Sequence, residues 1–415
     1  MSERLQAPRG TQDVLGEQAR ARAALEGHAR GVLEAAGYER IETPAFEATE
    51  LFARGVGAST DVVQKEMYTF TDGGGRSLTL RPEGTAPICR AFLEHGMARR
   101  PAPVKLWYLS SFFRYERAQA GRYRQFWQIG AEVIGSADPS VDAETILLLA
   151  ELLDVLGVGE RRLRLSSLGS PPARIEYRER LTAHLLTRRD ELAPEVAARI
   201  ELNPLRAFDS DHAGTRAVMA DAPILLDCID DDDRSHFDAV RALLDDAGLA
   251  YDIDPTLVRG LDYYTRTVFE FESAALGAQR GVGGGGRYDG LMAQLGGPDT
   301  PACGWAAGVE RILLAAGDPP PEPPVVDLYV GYAEPARRAV AFALARTARR
   351  AGLHAELELA GRTLKGQLKH ADRLGARHVA LVQADGVALK TMAGGEQREL
   401  GDEAAAAAIA CLGPR

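Results

Sequence analysis

The sequence has few of the features that mark a secreted, membrane-spanning or metal-dependent protein. Its four cysteines are scattered and form no C-x-x-C pair, and its eight histidines show no metal-ligand spacing, which argues against a disulfide framework and a zinc site. No apolar run approaches the roughly 20 residues that span a bilayer, and the polar N-terminus lacks the apolar segment of a signal peptide. We therefore expect a cytoplasmic protein that does not enter a membrane and holds no metal ion of its own.

Composition and charge fit a globular protein that does not coat nucleic acid. Of 415 residues, 46% are apolar and 26% are charged, and this length favours two or three domains. The net charge of −10 is uneven, because residues 325–415 carry 13 Lys and Arg against 10 Asp and Glu, or +3, which leaves −13 for the rest. The basic part could contact a polyanion locally, although solvated charged helices would give the same pattern.

Proline content and hydrophobic patterning divide the chain. The proline-rich segment 317–324 predicts a semi-rigid linker. After it, apolar strands alternate with amphipathic helices, which predicts an α/β domain over residues 325–415. Before it, strands recur without regular helices between them, which favours an α+β body with a mainly antiparallel sheet. The polar, helix-like stretch 171–222 is predicted to be an insertion between a first part, 1–170, and a second part, 223–316.

The segment 125–133 is a candidate ligand-facing strand. Alternate residues of a strand share a face, so Gln128, Gly130 and Glu132 point one way and the apolar residues between them point into a core. The polar face could hydrogen-bond a small ligand and pair with an ammonium group, or it could face solvent.

The segment 81–87 is predicted to end a strand and open a helix. Thr85 is the predicted N-cap of that helix, and Glu83 lies next to its N-terminus, where a carboxylate is electrostatically favoured. Glu83 is therefore either a structural cap or a second carboxylate that faces the same pocket.

Arginines are concentrated around a short turn at 118–121, beside the Gln128 strand. Arg114 and Arg117 precede the turn, and Arg122 and Arg124 follow it. Guanidinium groups grip phosphates through paired hydrogen bonds and keep their charge. This density suits a nucleoside triphosphate, the end of a nucleic acid, or a solvated surface.

Two glycine-containing segments follow later in the chain. Residues 281–290 are predicted to be too glycine-rich for packed structure. They would form either a flexible hairpin with no ligand or a loop in which glycine lets the backbone approach a ligand, and they lack the Gly-Lys-Ser/Thr ending of a P-loop. Residues 304–311 are predicted to form a tightly packed strand–helix junction that leaves Arg311 at the helix start, near an anionic ligand.

The segment 257–265 combines a cation, a carboxylate and two phenols, in Arg259, Asp262, Tyr263 and Tyr264. Such a group suits a pocket that neutralises a phosphate or carboxylate and hydrogen-bonds a polar ring. The segment closely resembles the histidine-specific signature of histidyl-tRNA synthetases.

The order of these segments resembles that of class II aminoacyl-tRNA synthetases. Their motifs 1, 2 and 3 are similar to the first helix and strand up to Pro44, the segment 113–116 with its loop and following strand, and residues 304–311. Three further segments resemble histidyl-tRNA synthetases in particular, at 8–13, 81–85 and 257–265. The resemblance implies an α+β fold with a class II antiparallel sheet flanked by helices, a helical insertion, and a C-terminal α/β domain of the anticodon-binding type.

The resemblance also implies a reaction and a set of site residues. The reaction is ATP-dependent ligation of L-histidine to tRNA(His) through histidyl-adenylate, with release of pyrophosphate and then AMP. Positions that match the family's histidine pocket are Glu83, Thr85, Arg114, Gln128, Glu132, Arg259, Tyr263 and Tyr264, with Glu132 as a partner for the α-ammonium group. ATP, which brings Mg²⁺, would be held by Arg114, Glu116, Arg122 and Arg311. The catalytic charge stabilisation would come from Arg259, Arg114 and Arg311.

The same resemblance implies partners. Arg117 and Gln119 would contact the acceptor end of tRNA, and the chain would form a homodimer. Two departures from the family concern this role: Ala118 replaces a common proline, and the hairpin at 383–386 is shortened.

Three alternatives compete with this interpretation. They are a non-catalytic, synthetase-like regulatory subunit of ATP phosphoribosyltransferase, a class IIa synthetase for proline, threonine or glycine, and a tRNA-binding module without catalysis. The intact segment 257–265, the Glu83, Gln128 and Glu132 set, and the arginines count against them.

Overall fold

The computed structural model describes residues 4–57, 60, 62–117, 121–257, 261–277, 280–316 and 325–413. The chain divides into two units, residues 1–321 and 322–415. The segment 317–324, Arg259, Ala118 and Gln119 lie outside the described residues. Within the described ranges, no helix is both long and apolar enough to cross a membrane.

Two sheets form the frame of the first unit. Their strands are β1 (Glu39–Arg40), β2 (Phe46–Ala48), β3 (Tyr68–Thr71), β4 (Ser77–Leu80), β5 (Val104–Phe113), β6 (Gln125–Ile134), β7 (Arg161–Ser167), β8 (Asp252–Ile253), β9 (Thr265–Ser273), β10 (Gly281–Arg287) and β11 (Ala302–Gly308). The large sheet has the order β1-β5-β6-β11-β10-β9-β7-β8 and is antiparallel except at its two edges, where β1 pairs with β5 and β8 with β7 in parallel. The small sheet, β2-β4-β3, is antiparallel throughout.

Helices pack on both faces of the large sheet, which confirms the predicted α+β class. They are α1 (Gly16–Ala35), α2 (Thr49–Gly55), α3 (Thr85–Glu94), α4 (Pro139–Val155), α5 (Pro171–Thr187), α6 (Pro194–Ala197), α7 (Ala213–Ala220), α8 (Asp231–Asp246), α9 (Leu291–Gln294) and α10 (Val309–Ala315). The apolar residues Ile129, Ala131 and Val133 of β6 are fully buried in a core that α1, α4, α8 and α10 complete. The intervening residues of β6 face a second core, to which α3 and α9 contribute. The alternation predicted for 125–133 is therefore confirmed.

The glycine-rich segment is a strand, and the expected flexible loop is wrong. Strand β10 lies in the middle of the large sheet, between β9 and β11. A Cβ built on Gly285 would lie 1.9 Å from the carbonyl oxygen of Gly304, and one on Gly283 would lie 2.5 Å from the Cβ of Ala307. Glycine is required here because two strands approach closely, and not because the chain turns.

The helical insertion has a small core of its own. Side chains from α5, α6 and α7 are buried together, among them Tyr177, Leu181, Val196 and Val218. Leu168, which precedes α5, packs against this core and also against the core on the α3 side of the sheet. The insertion is thereby attached to the sheet at its root.

The second unit is an α/β domain with a five-stranded mixed sheet. Its elements are β12 (Leu328–Tyr332), α11 (Arg338–Arg350), β13 (Ala355–Leu357), α12 (Leu364–Arg373), β14 (His378–Val382), β15 (Val387–Thr391), β16 (Gln397–Leu400) and α13 (Asp402–Ala410). The sheet order is β13-β12-β14-β15-β16, parallel among the first three strands and antiparallel thereafter. The alternation of strands and helices predicted after the proline-rich segment is confirmed.

A buried ion pair joins β10 to α4. The side chains of Arg287 and Asp142 are inaccessible to solvent, and Arg287 donates to the carboxylate through Nε, at 3.1 Å from Oδ2, and through Nη2. Nη1 of Arg287 also donates to the carbonyl oxygen of Ser136 at 3.0 Å. Burial by itself would raise the pKa of Asp142, but His236 and Arg287 together hold that pKa below its usual range.

Removing one partner of this pair should destabilise the first unit strongly. Arg287→Met leaves a buried carboxylate without its cation, which should lower the free energy of unfolding by about 3–5 kcal/mol. Urea unfolding followed by tryptophan fluorescence measures this, because all three tryptophans lie in the first unit. The matched control is Arg162→Met, which removes a 2.6 Å ion pair between Arg162 and Asp252. Both side chains of that pair are more than half exposed. The control should leave the unfolding midpoint nearly unchanged, and equal losses in both variants would contradict the prediction.

Candidate active site

A buried carboxyl group, that of Glu132, lies on the face of β6 that α3 covers. The residue is 1% exposed, and it accepts hydrogen bonds from the Thr85 hydroxyl at 2.8 Å and the Tyr288 hydroxyl at 2.6 Å. A Cβ built on Gly304, its partner on β11, would lie 1.7 Å from Glu132 Oε2, so the glycine leaves the space that this side chain fills. Burial raises the pKa of Glu132 to about 8, and the hydrogen bonds from Tyr288 and Thr85 oppose that rise.

Glu83 caps the N-terminus of α3. Its Oε2 accepts from the backbone N–H of Thr85 at 2.8 Å and its Oε1 from that of Ala86 at 3.0 Å. The predicted N-cap, Thr85, is wrong, because Gly84 holds the N-cap position and Thr85 begins the helix. Burial raises the pKa of Glu83, while the N–H groups of Ala86 and Thr85 and the charge of Arg114 act against it. The hydroxyl of Thr85 is free to donate to Glu132, so one threonine links two buried carboxyl groups.

Three nearly fully buried tyrosines lie beside these carboxyl groups. The Tyr263 hydroxyl is 3.5 Å from Glu83 Oε2, and its ring centroid is 4.7 Å from that of Tyr264 and 5.7 Å from that of Tyr288. Burial raises the pKa of the Tyr263 and Tyr288 phenols well above the usual value. Both therefore remain neutral hydrogen-bonding groups, and together the rings form an aromatic wall with polar edges.

Sequence reasoning missed Tyr288 and Tyr108. The Tyr108 ring fits between Gly84 and Gly130, where a Cβ would lie 2.7 Å and 2.3 Å from its Cζ, and its hydroxyl has no hydrogen bond within the described residues. Strand alternation on β5 could have placed Tyr108 on this face, because it shares the core that lies beside the carboxyl groups. Tyr288 directly follows β10, and a loop prediction for residues 281–290 assigns it to no face of the sheet.

Arg114, Glu116 and Arg122 form an ionic group where β5 ends and β6 begins. Glu116 is 3.8 Å from Arg114 Nη1 and 3.2 Å from Arg122 Nε. Arg114 Nε donates to the carbonyl oxygen of Pro82 at 2.9 Å, and its guanidinium lies 5.3 Å from the centroid of the Phe126 ring. These contacts orient Arg114 beside Glu83, so it connects the arginine group to the carboxyl groups.

Arg311 adds a further cation at the start of α10. Strand β11 ends at Gly308 and α10 begins at the next residue, which confirms the predicted strand–helix junction. Burial lowers the pKa of Arg311, the positive charge of Arg122 lowers it further, and Glu270 and Glu116 counteract both. Mutual repulsion of two arginines in a partly buried place favours binding of an anion between them.

The remaining predicted residues are Gln128, Arg117, Arg259 and Gln119. Gln128 is half-buried, and its Oε1 has no hydrogen bond within the described residues. Arg117 is exposed, and Arg259 and Gln119 lie outside the described residues. Among the described residues there is no group of three or more His, Cys, Asp and Glu that could hold a metal ion.

Glu132 should make the stability of the ligand-free protein depend on pH. Its pKa rises from 4.5 to about 8 on folding, so the folded state holds an extra proton between these values and loses stability as the pH rises through this window. Relative to Glu132→Gln, the wild type should therefore lose about 2–3 kcal/mol of unfolding free energy between pH 6 and pH 8.

Urea unfolding at a series of pH values measures this effect. The control is Glu144→Gln, because the Glu144 side chain is 42% exposed, and this variant should keep the pH dependence of the wild type. Parallel curves for the wild type and Glu132→Gln would contradict the prediction.

Sequence comparison finds close relatives over nearly the whole chain. The family model described as histidyl-tRNA synthetase matches residues 10–312. A protein of Thermosynechococcus vestitus named histidine–tRNA ligase is 46% identical over 399 residues, which cover 95% of this chain and 93% of the relative.

Two solved structures share the fold. Apo histidyl-tRNA synthetase of S. aureus is 34% identical with a TM-score of 0.80, and the match covers 98% of this chain and 100% of that one. A Bacillus halodurans protein described as an ATP phosphoribosyltransferase regulatory subunit/histidyl-tRNA synthetase is 22% identical with a TM-score of 0.66, covers 92% of this chain and 100% of that one, and shows likeness of fold alone. From its sequence relatives and from the S. aureus structure, this chain belongs to the histidyl-tRNA synthetase family.

Proposed function

We propose that the chain is a histidine–tRNA ligase that works in the cytoplasm. It activates L-histidine with ATP to give histidyl-adenylate and pyrophosphate, and then transfers the histidyl group to tRNA(His) with release of AMP. The observation that carries this proposal is the pair of buried carboxyl groups, Glu83 and Glu132, beside tyrosine rings and joined through Arg114 to an arginine group. One end suits a polar aromatic amino acid, and the other suits a polyphosphate.

The imidazole ring is the part of histidine that best fits beside Glu132. Tyrosine rings offer it flat faces, and the Glu132 carboxyl group can accept its N–H. We therefore assign the ring to Glu132, in place of the α-ammonium group expected from the sequence. Glu83 and Gln128 are then left for the ammonium group, since Gln128 Oε1 has no hydrogen bond within the described residues. An apolar amino acid would add no hydrogen bond to Glu132 beyond those from Thr85 and Tyr288, which penalises its binding relative to histidine.

The arginine group is proposed to hold ATP and to stabilise charge during activation. An oxygen of the histidine carboxylate attacks the α-phosphorus, the bond from phosphorus to the bridging oxygen breaks, and pyrophosphate leaves. Arg114 and Arg311, with Arg122, would neutralise the phosphate charge, while Glu116 would orient Arg114 and Arg122. No protein nucleophile is needed. Arg259 has the same catalytic role in this proposal.

ATP is proposed to bind together with Mg²⁺. Glu116 and Glu270 lie in the electrostatic surroundings of Arg311, and carboxylates are the ligands that Mg²⁺ prefers. When bound, Mg²⁺ supplies further neutralisation of phosphate charge.

The tRNA is proposed to contact both units. Residues 1–170 and 223–316 would form the catalytic part around the insertion 171–222, with Arg117 and Gln119 at the acceptor end. Residues 325–415 would bind the anticodon, and their charge of +3 on an otherwise acidic chain suits a polyanion. We further propose that the chain acts as a homodimer.

A non-catalytic regulatory subunit of ATP phosphoribosyltransferase is the weaker alternative. A regulator would need a histidine site, but it would not need cations placed for the phosphates of ATP. Arg114 and Arg311 are present and are gathered with Arg122 around Glu116. The α/β second unit is likewise present.

Histidine should be the amino acid that supports exchange of labelled pyrophosphate into ATP. The exchange reports activation alone, so it needs no tRNA. Folded protein that shows no histidine-dependent exchange would refute the proposal, and exchange with proline, threonine or glycine instead would assign the chain to a different synthetase.

Tyr288→Phe should weaken histidine binding selectively. The substitution keeps the ring and removes the hydroxyl that donates to Glu132 at 2.6 Å. Loss of a hydrogen bond to an ionisable group should raise the KM for histidine by about tenfold to a hundredfold in pyrophosphate exchange, while the KM for ATP stays within about twofold.

The matched control is Tyr177→Phe. Tyr177 is also nearly fully buried, but it lies in the insertion core and its hydroxyl has no hydrogen bond within the described residues. An unchanged KM for histidine in Tyr288→Phe, or equal increases in both variants, would contradict the role given to Tyr288.

A further inference from the structure

The backbone of residues 262–264 is held by an arginine of the helical insertion. Arg174, in α5, donates from Nη1 to the carbonyl oxygen of Tyr264 at 2.6 Å and to that of Asp262 at 3.3 Å. The N–H of Asp262 also donates to the carbonyl oxygen of Val56 at 3.2 Å. The two carbonyl groups that Arg174 binds flank Tyr263, whose hydroxyl reaches Glu83.

The root of the insertion is fixed to the same stretch of chain just beyond Tyr264. Arg266 has φ +47°, a left-handed conformation that costs a non-glycine residue energy and persists where its surroundings fix it. The backbone N–H of Arg266 donates to the carbonyl oxygen of Gly169 at 2.9 Å, and its carbonyl oxygen accepts from the backbone N–H of Leu168 at 2.7 Å. Asp233, whose side chain is inaccessible to solvent, accepts from Arg266 Nε at 2.8 Å and from the N–H of Ser170 at 2.6 Å.

Apolar packing connects the same two regions. Leu168 packs against the core that contains Tyr263 and Tyr264 and also against the core of the insertion. Arg174 lies six residues after Leu168, in helix α5. The packing of Leu168 therefore already fixes the position of that helix relative to the two tyrosines. A hydrogen bond from a charged donor is stronger than one from a neutral donor. Arg174 is therefore well suited to fix the backbone of residues 262–264.

We propose that Arg174 is a positioning residue for histidine, and that the insertion thereby takes part in histidine recognition. The inference rests on the proposed function, because it takes Tyr263 and Tyr264 to contact histidine. Without the guanidinium group, the carbonyl groups on either side of Tyr263 lose their donor and the two rings lose their fixed placement. The arginine group around Glu116 makes no described contact with Arg174, so we expect the KM for ATP to stay nearly unchanged.

Pyrophosphate exchange with Arg174→Met tests this proposal in the full-length protein. The KM for histidine should rise by about tenfold or more, because small displacements of positioning groups are costly, while the KM for ATP stays within about twofold. Arg174→Lys, which keeps a charged donor, should recover part of the loss.

The chain offers a matched control one turn later in α5. Arg178 also donates to two backbone carbonyl groups, those of Glu201 at 3.0 Å and Leu202, but both belong to the insertion itself. Arg178→Met should therefore leave the KM for histidine unchanged, although it removes the same side chain from the same helix.

The outcomes distinguish the positioning role of Arg174 from the proposed function. Absence of exchange in the wild type refutes the proposed function. Normal exchange in the wild type, with an unchanged KM for histidine in folded Arg174→Met, overturns the positioning role alone. The role is also overturned if the KM for histidine rises equally in Arg174→Met and Arg178→Met, or if the KM for ATP rises as much as the KM for histidine. If Arg174→Met does not fold, Arg174→Lys decides: an increase confined to the KM for histidine supports the role, and wild-type kinetics overturn it.

Discussion

The burial of the Glu132 carboxyl group is the constraint that the surrounding structure meets. A carboxyl group removed from water needs hydrogen-bond donors and space, and both come from distant parts of the chain. Thr85 and Tyr288 supply the donors, and Gly304 supplies the space on the neighbouring strand. The hydroxyl of Thr85 is available because Glu83 caps α3 in its place. Together these residues keep the Glu132 carboxyl group hydrogen-bonded inside an apolar core.

Carboxyl groups and arginines lie in separate parts of the candidate site, which suits the proposed activation of an amino acid by ATP. The carboxyl groups and phenols lie under α3, whereas Arg122 and Arg311 gather beside the start of β6. Arg114 belongs to both regions, since its Nε is bound to Pro82 and its guanidinium lies beside Glu116. Substrates that carry a cationic amine and a polyanion can therefore meet near Arg114 without either entering the wrong environment.

The helical insertion is attached to the backbone that carries Tyr263 and Tyr264. Its core is separate, but Leu168, Arg174 and Arg266 attach it to the chain around Tyr263 and Tyr264. A strained residue beside such an attachment indicates that the position of this backbone is strongly specified.

Local pattern was enough to find the alternation of β6, the junction before Arg311 and the α/β repeat of the second unit, because side-chain periodicity is a property of each element alone. The resemblance to synthetases likewise depended on short segments that can be read in order along the chain. The pairing of β10 with β11, the turn of Thr85 towards Glu132, the contribution of Tyr108 and Tyr288, and the reach of Arg174 could not be read in this way. Each depends on which strands become neighbours and in which register, and that is settled when the cores pack, since a glycine run is compatible with both a loop and a strand until its neighbour is known.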